Sequence, residues 1–517
     1  MGSDFSDLGK SPFDVLVVGA GINGCAAARE LSGLGHSVVL VDRADLGGAT
    51  TARSGRVLHC GLQLLAPRRS IADYLKNPQE LATRLRSARR AALDFGEFCR
   101  ERSVPLEPMT IFVPIFRDSP YTGWQIDFGA TIIRAFAGNG ASFQYRRLDL
   151  AESRSNPYVA DLGKRDALRS LVSFQDFRFY WPERIAIDAA LAAERNGAML
   201  LNFTKVGDLR RASDGLWHAR LQQIRDGERE ADVCARVVLN LAGVWVDDVI
   251  ASATPKAAVV RKVVAVKGVY LLVKLPERYR ALGLAGTNSI GEPICCLPWD
   301  DLHYVGPTET PFTGALEDVR PQEEDIAFLL AELRKFAPGL SVNRSSIVMA
   351  WAGLRPITVR DGYPKGRRLP FNVIHDLTAE GMPNMLALSW GIVANHLSTA
   401  RALARAVSSK IRPLKSAPMH PGGHVALPRT GRRLQDDYPA TVDDVRFCVE
   451  HEHAKDLNGV LFSRTGLGWT GRMTAEAVHV AANAMAPLLS WSSSRTQDEC
   501  DAFRARLKAD HCYELMM

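Results

Sequence analysis

The 517-residue chain has nine cysteines and no C-x-x-C spacing among them, so neither a zinc site nor a disulfide framework is expected. Reduced thiols in a cytoplasmic setting are the simplest reading. Cys295 and Cys296 stand in an apolar context that predicts buried thiols rather than a redox pair. No run of ~18 apolar residues occurs, so no segment is expected to span a bilayer. The opening MGSDFSDLGKSPFD has no apolar core of the kind a secretory leader needs. Internal repeats, low-complexity tracts and nucleic-acid-binding motifs are missing too. What remains is a soluble globular composition, 46% hydrophobic and 23% charged. It is long enough to need more than one core. The net charge of +7 suits an anionic substrate or membrane surface, and suits plain solubility equally well.

The most informative stretch is Val15 to Asp42, VLVVGAGINGCAAARELSGLGHSVVLVD. An apolar strand runs into Gly19-x-Gly21-x-x-Gly24, an Ala-rich helix follows, and a second apolar strand ends at Asp42. Gly19 makes the strand-to-helix turn, Gly21 lets the backbone approach a pyrophosphate, and Gly24 lets the helix sit close to the strand. Ile22 and Asn23 occupy the helix start, where amides face phosphates. Asp42 is placed to accept from a ribose hydroxyl, and Arg43 beside it to stack near adenine.

A nicotinamide dehydrogenase would continue with adjacent βα units. Here the first unit is interrupted by long stretches of another character. A further strand and Gly turn return only at VVLNLAGVW, with Gly243, and a last Gly turn and helix at 390 to 407, with Gly391. A nucleotide domain divided in this way suits FAD, whose extended body is touched by distant pieces of one chain. The expected architecture is α/β: an FAD-binding Rossmann-like domain split in sequence, a mixed β-sheet substrate/cap domain, and a C-terminal helical domain. Residues 12–65, 170–260 and 370–410 are assigned to the first, 66–169 and 261–369 to the second, and 430–517 to the third. A basic helix is expected from Pro67 to Arg102, and Pro413 to Pro428 reads as a linker.

Several motifs in order resemble the FAD-dependent (aerobic) glycerol-3-phosphate dehydrogenases. The family's GGGINGAG is GAGINGCA here, and its ATSSxSSKLIHGGLRYL loop is ATTARSGRVLHCGLQLL. Its VNATGPWV corresponds to NLAGVWV, KGSHIVV to KGVYLLV, PWxxxxxIGTTD to PWDDLHYVGPTE, and SGVRPL to AGLRPI. The tail DVRFCVEHEHAKDLNGVLFSRTGLG is similar to the family's VRYLVxHEWAxxxxDVLxRRTxLG. The resemblance implies flavin contacts from Thr50, Thr51, Ser54, His59 and Gly61 in the loop, and from Leu397 and Ser398 after Gly391. It implies hydride transfer from a carbinol carbon of a polyol phosphate, and electrons passed to a quinone. It also implies peripheral contact with the inner face of the cytoplasmic membrane, through residues 121 to 137 and the basic helix at 83 to 90; ordinary interdomain core is the rival reading of that segment. A homodimer is compatible with it.

The substrate pocket departs from the family pattern. Only the Arg of GVRP is kept, as Arg355. The family's Arg-Tyr pair is Gln63-Leu64, its His is Tyr270, and its Lys is His396 under one alignment or Val393 under another. A phosphate dianion needs several charge-assisted hydrogen bonds, so this loss needs replacement. Arg53, Arg56, Lys267 and Arg360 are the available cations. Arg355 is expected to clamp the anionic end, His396 to act as the base, and Tyr270 to hold a substrate oxygen. No metal is expected. The alternatives are an amine or amino-acid oxidase that uses oxygen, and a flavoprotein that has lost catalysis.

Overall fold

The computed structural model describes residues 5, 8–9, 11–65, 78–101, 106–119, 121–137, 144–179, 181–225, 227, 229–253, 260–363, 365–366, 372–414 and 424–516. The first part of the expected basic helix and most of the expected linker lie outside them. The remainder of that helix is present as Pro78–Glu101.

Two sheets organise the chain. The nucleotide sheet is parallel at its centre. Phe13–Val18 lies between Val38–Val41 and Glu230–Asn240, with Met199–Leu201 and Met385–Ser389 outside them. These strands are buried on both faces and so read as unbroken apolar runs, VLVV and VVLV, rather than alternating ones. An antiparallel meander, Thr204–Arg211 and Trp217–Gln223, hangs from Glu230–Asn240. The helices Ile22–Gly33, Pro182–Arg195 and His396–Ser408 share one buried core with this sheet. Strands far apart in sequence therefore end at one edge, where the phosphate-binding turn sits.

The second sheet is mixed. Val263–Val273 pairs with Ile347–Thr358 along its whole length, and with Leu302–Gly306 and Thr310–Pro311 on its other edge. The sheet continues through Pro293–Trp299, Leu282–Thr287, Leu106–Phe116 and Leu168–Phe179 to Val57–Leu58. Residues 170–179, expected in the nucleotide domain, thus belong here, paired with Leu106–Phe116, and so does the end of the flavin loop. The alternation of the strands separates two faces. Phe112, Leu171, Val269, Leu271, Cys296 and Val305 pack under the helix Glu323–Phe336. Ile111, Val113, Phe174, Asp176, Cys295 and Tyr270 line a cleft. Cys295 and Cys296 consequently face opposite ways, and Cys295 is half-buried rather than buried.

The tail is helical, as expected, and packs on the second sheet. Its Leu457, Leu461, Phe462 and Trp469 share a core with Tyr270, Trp299, Tyr304 and Trp351. One buried ion network anchors it to the nucleotide domain. Arg464 holds both oxygens of Asp45 at 2.5 and 3.0 Å, and Arg184 bridges Asp188 and Glu452. Breaking one such pair strands a buried charge, at a cost of about 3–5 kcal/mol.

Candidate active site

One cleft of about 3130 Å³ runs between the two sheets. A drug-sized ligand needs only ~300–1,000 Å³, so a dinucleotide and a substrate fit together. Its first end is built by backbone. Gly19 has φ +106, and a Cβ there would lie 2.6 Å from the Leu241 carbonyl oxygen. A Cβ on Gly24 would lie 1.8 Å from the Gly19 oxygen, so the helix approaches the strand more closely than any side chain allows. The Ile22 amide donates to Thr51 Oγ1. Asp42 accepts from the amides of Ala20 and Ala44 at 2.6 and 2.8 Å, while burial pushes its carboxyl up to about 6. Ser54 Oγ, Asn23 Oδ1 and Asn395 Oδ1 are buried without a hydrogen-bond partner beside this path. Buried polar atoms are rarely left so, and the ribityl and pyrophosphate groups of FAD are of the kind that satisfies them. The residues present therefore fit FAD.

Of the residues expected to touch the cofactor, Gly19, Gly21, Ile22, Asn23, Asp42, Arg43, Thr50, Thr51, Ser54, His59, Gly243 and Gly391 line the cleft. Gly24, Gly61, Leu397 and Ser398 do not. Gly61 backs onto Ala88 and Ala91 of the long helix, and Ser398 donates to Asp94 and to the Asn395 oxygen. They support the site from behind. Arg43 stacks on Trp245 at 4.4 Å and pairs with Glu317, so an indole occupies its face. Thr50 Oγ1 donates to the Leu354 carbonyl oxygen, which ties the flavin loop to the strand that carries Arg355.

The other end is built by side chains. Arg355 donates to the Thr308 carbonyl oxygen at 3.3 Å and lies 3.4 Å from the Tyr270 hydroxyl. No carboxylate of the described residues pairs with it. A Cβ on Gly268 would lie 2.3 Å from its guanidinium, so glycine makes the room it occupies. Tyr270 is stacked on Trp351, and a Cβ on Gly55 would reach its hydroxyl. These two expected residues are brought together. His396 is not with them. It is 2% exposed at a helix start, its Nδ1 bonded to the Val393 oxygen and its ring against Phe98, and it does not line the cleft. Burial pulls its imidazole down to about 4.

A different histidine meets the cleft. His59 Nδ1 is 3.0 Å from Asp176 Oδ2, and the other oxygen of Asp176 accepts from the Cys60 amide. The His59 ring is 42% exposed while the Asp176 side chain is 1% exposed. With Nδ1–H donated to the carboxylate, Nε2 keeps its lone pair, the arrangement of a positioned base. Sequence reading placed His59 at the flavin but missed Asp176, because the pairing depends on where Leu168–Phe179 lands. The other cations are largely spent. Lys267 is bound to Asp325. Arg56 is buried over Trp469 and faces Glu183, and Arg53 turns toward Asp510. Arg360 lines the rim of the cleft.

Comparison with known proteins agrees with this geometry. Residues 14–408 match the FAD dependent oxidoreductase family, and residues 395–496 match the C-terminal domain of alpha-glycerophosphate oxidase. The chain belongs to the FAD dependent oxidoreductase family. It is an FAD-dependent oxidoreductase. Glycerol-3-phosphate dehydrogenase of Synechocystis sp. is 24% identical over 490 residues, 90% of this chain and 84% of that one. D-erythritol 1-phosphate dehydrogenase of Brucella abortus is 26% identical over 441 residues, 82% and 81% of the two chains. The chain spans 58% of the length of the mitochondrial glycerol-3-phosphate dehydrogenase of Homo sapiens. Its fold is that of the glycerol-3-phosphate dehydrogenase from Bacillus halodurans solved with FAD, with a TM-score of 0.71 at 18% identity, covering 98% of this chain and 96% of that one. Among the described residues no helix is long and apolar enough to cross a membrane.

Proposed function

We propose that the protein oxidises a secondary alcohol of a polyol phosphate related to glycerol 3-phosphate and passes the electrons to a quinone. One observation carries this reading: a carboxylate-held imidazole, His59–Asp176, and a guanidinium with no carboxylate partner among the described residues, Arg355, open onto the same cleft. Bound FAD supplies the two-electron acceptor. Arg355 clamps the anionic end of the substrate. Tyr270, beside it, donates to a substrate oxygen. His59 Nε2 takes the hydroxyl proton as the carbon is oxidised, and Asp176 stabilises the imidazolium that results. An alcohol needs such a base more than an amine does, since an amine reacts as its neutral form. That difference favours polyol phosphate over the amine-oxidase alternative.

For the acceptor, the helix Gly123–Ala137 leaves Trp124 and Phe128 each 64% exposed, Phe128 also lining the cleft, and it packs against the arginine-rich helix Pro78–Glu101. An amphipathic surface of this kind favours docking on an anionic membrane, where a quinone is met. The enzyme is tested by anaerobic bleaching of its flavin with glycerol 3-phosphate and erythritol phosphate, against glycine and sarcosine. Bleaching by the phosphates alone supports the reading, and bleaching by the amines alone replaces it. Sedimentation with vesicles of anionic lipid tests the docking face.

A further inference from the structure

Three arginines from three parts of the chain surround one carboxylate at a wall of the cleft. Asp510, in the last turn of the C-terminal helix Ser493–His511, is 3.2 Å from Arg53, 3.3 Å from Arg320 and 4.0 Å from Arg506. Arg53 comes from the flavin loop and Arg320 from the segment before the helix Glu323–Phe336. Arg53, Arg506 and the intervening Val319 line the cleft. The other charges nearby do not restore balance. Glu183 is spent on the buried Arg56, and His511 is held neutral by burial and by Arg53, Arg56 and Arg506. Asp456 also acts on Arg506 but is paired with Arg225, so among the described residues Asp510 is the one carboxylate that the three guanidinium groups share directly. The side chains of Arg320 and Arg506 are about half-exposed, at 51% and 55%, whereas Asp510 is at 15%, so the cations are open to a second anion.

We propose that this cluster is a second anion site, built for a tetrahedral dianion such as a phosphate monoester or inorganic phosphate. Two to three planar forks converging from different elements match phosphate oxygens better than they match one carboxylate. The position gives the site a consequence. Arg53 also donates to the carbonyl oxygens of Val319 and Ala352, and Ala352 lies on the strand that carries Arg355. An anion that draws Arg53 away from Asp510 therefore acts on the join between flavin loop and substrate strand. The site is defined without reference to the reaction, so it stands or falls apart from the proposed substrate.

The test is calorimetric titration of the FAD-loaded enzyme with inorganic phosphate, with chloride making up constant ionic strength. Saturable binding is expected. Arg320→Gln and Arg506→Gln should each weaken it about tenfold, the loss of one charge-assisted contact. Asp510→Asn should tighten it, because the competing carboxylate is gone. Both arginine variants change half-exposed side chains and are expected to fold. No saturable binding, binding unchanged in both arginine variants, or weakening in Asp510→Asn would each overturn the site. So would binding lost only in Arg355→Gln, which would assign the phosphate to the substrate slot. Steady-state kinetics separate the two slots. A non-competitive effect of phosphate against the polyol phosphate is the expected result, whereas purely competitive inhibition would place the phosphate on Arg355 and overturn the site.

Discussion

The two ends of the cleft are specified in different ways. At the nucleotide end the site is built from backbone, packed so closely at Gly19 and Gly24 that a Cβ would strike a neighbouring carbonyl oxygen, all from one strand, turn and helix. At the substrate end the side chains come from four separated stretches: His59 meets Asp176 where Val57–Leu58 pairs with Leu168–Phe179, Tyr270 meets Arg355 where Val263–Val273 pairs with Ile347–Thr358, and both pairs line the cleft. At the first end, Gly19 and Gly24 have no room for a side chain. The second depends on side chains: the proposed base His59 and the proposed clamp Arg355 are each placed by a neighbour on another strand.

The largest effect should come from breaking the substrate end at its base. His59→Gln should slow anaerobic flavin reduction by about 10²–10⁴-fold, the usual worth of a general base, with FAD still bound. Asp176→Asn should show the same direction. An equal loss of bound FAD would reassign His59 to cofactor holding. Next, Arg355→Ala should raise KM roughly ten- to a hundredfold through the loss of bonds worth about 1.5–3 kcal/mol each, with Arg355→Lys recovering part. Steady-state kinetics with a phosphorylated and an unphosphorylated polyol separate the clamp from general disruption, since only the former substrate should feel it.

At the nucleotide end, Gly24→Ala forces a Cβ into the Gly19 oxygen. It should destabilise the protein by about 1–3 kcal/mol and weaken FAD retention, read from melting temperature and released flavin fluorescence. A smaller effect sharpens the contrast between the two histidines. Burial holds the His396 imidazole at about 4, below its usual 6.5. Its contribution to stability is present above pH 6.5 and is lost as pH falls toward 4. Between pH 7 and pH 5, wild type should lose about 2 kcal/mol more than His396→Gln in denaturant unfolding. The raised carboxyls of Asp42, Asp94 and Glu183 act in the opposite sense, but they are common to both proteins and cancel.

This contrast also explains what could be read from the residues alone. Gly19 to Asp42 carried its own structure, because turn, helix and acid are local. The divided nucleotide sheet was legible in the return of strand and Gly turn near Gly243 and Gly391. The helical tail was legible as well. Three features were not. Residues 170–179, SLVSFQDFRF, mix polar and apolar residues as a strand of either sheet could, and only pairing places them in the second sheet. Lys267 reads as a free cation until the helix Glu323–Phe336 brings Asp325 to it. His396 and His59 are alike on paper, yet one ring is packed on Phe98 and the other is held by a carboxylate from a distant strand.

The most direct measurement is rapid mixing of the oxidised, FAD-loaded enzyme with glycerol 3-phosphate and with erythritol phosphate under anaerobic conditions, wild type beside His59→Gln. Fast bleaching in wild type by at least one polyol phosphate, slowed by orders of magnitude in the variant, is the predicted result. A flavin that stays oxidised with both, or one that bleaches equally fast without the imidazole, would contradict it.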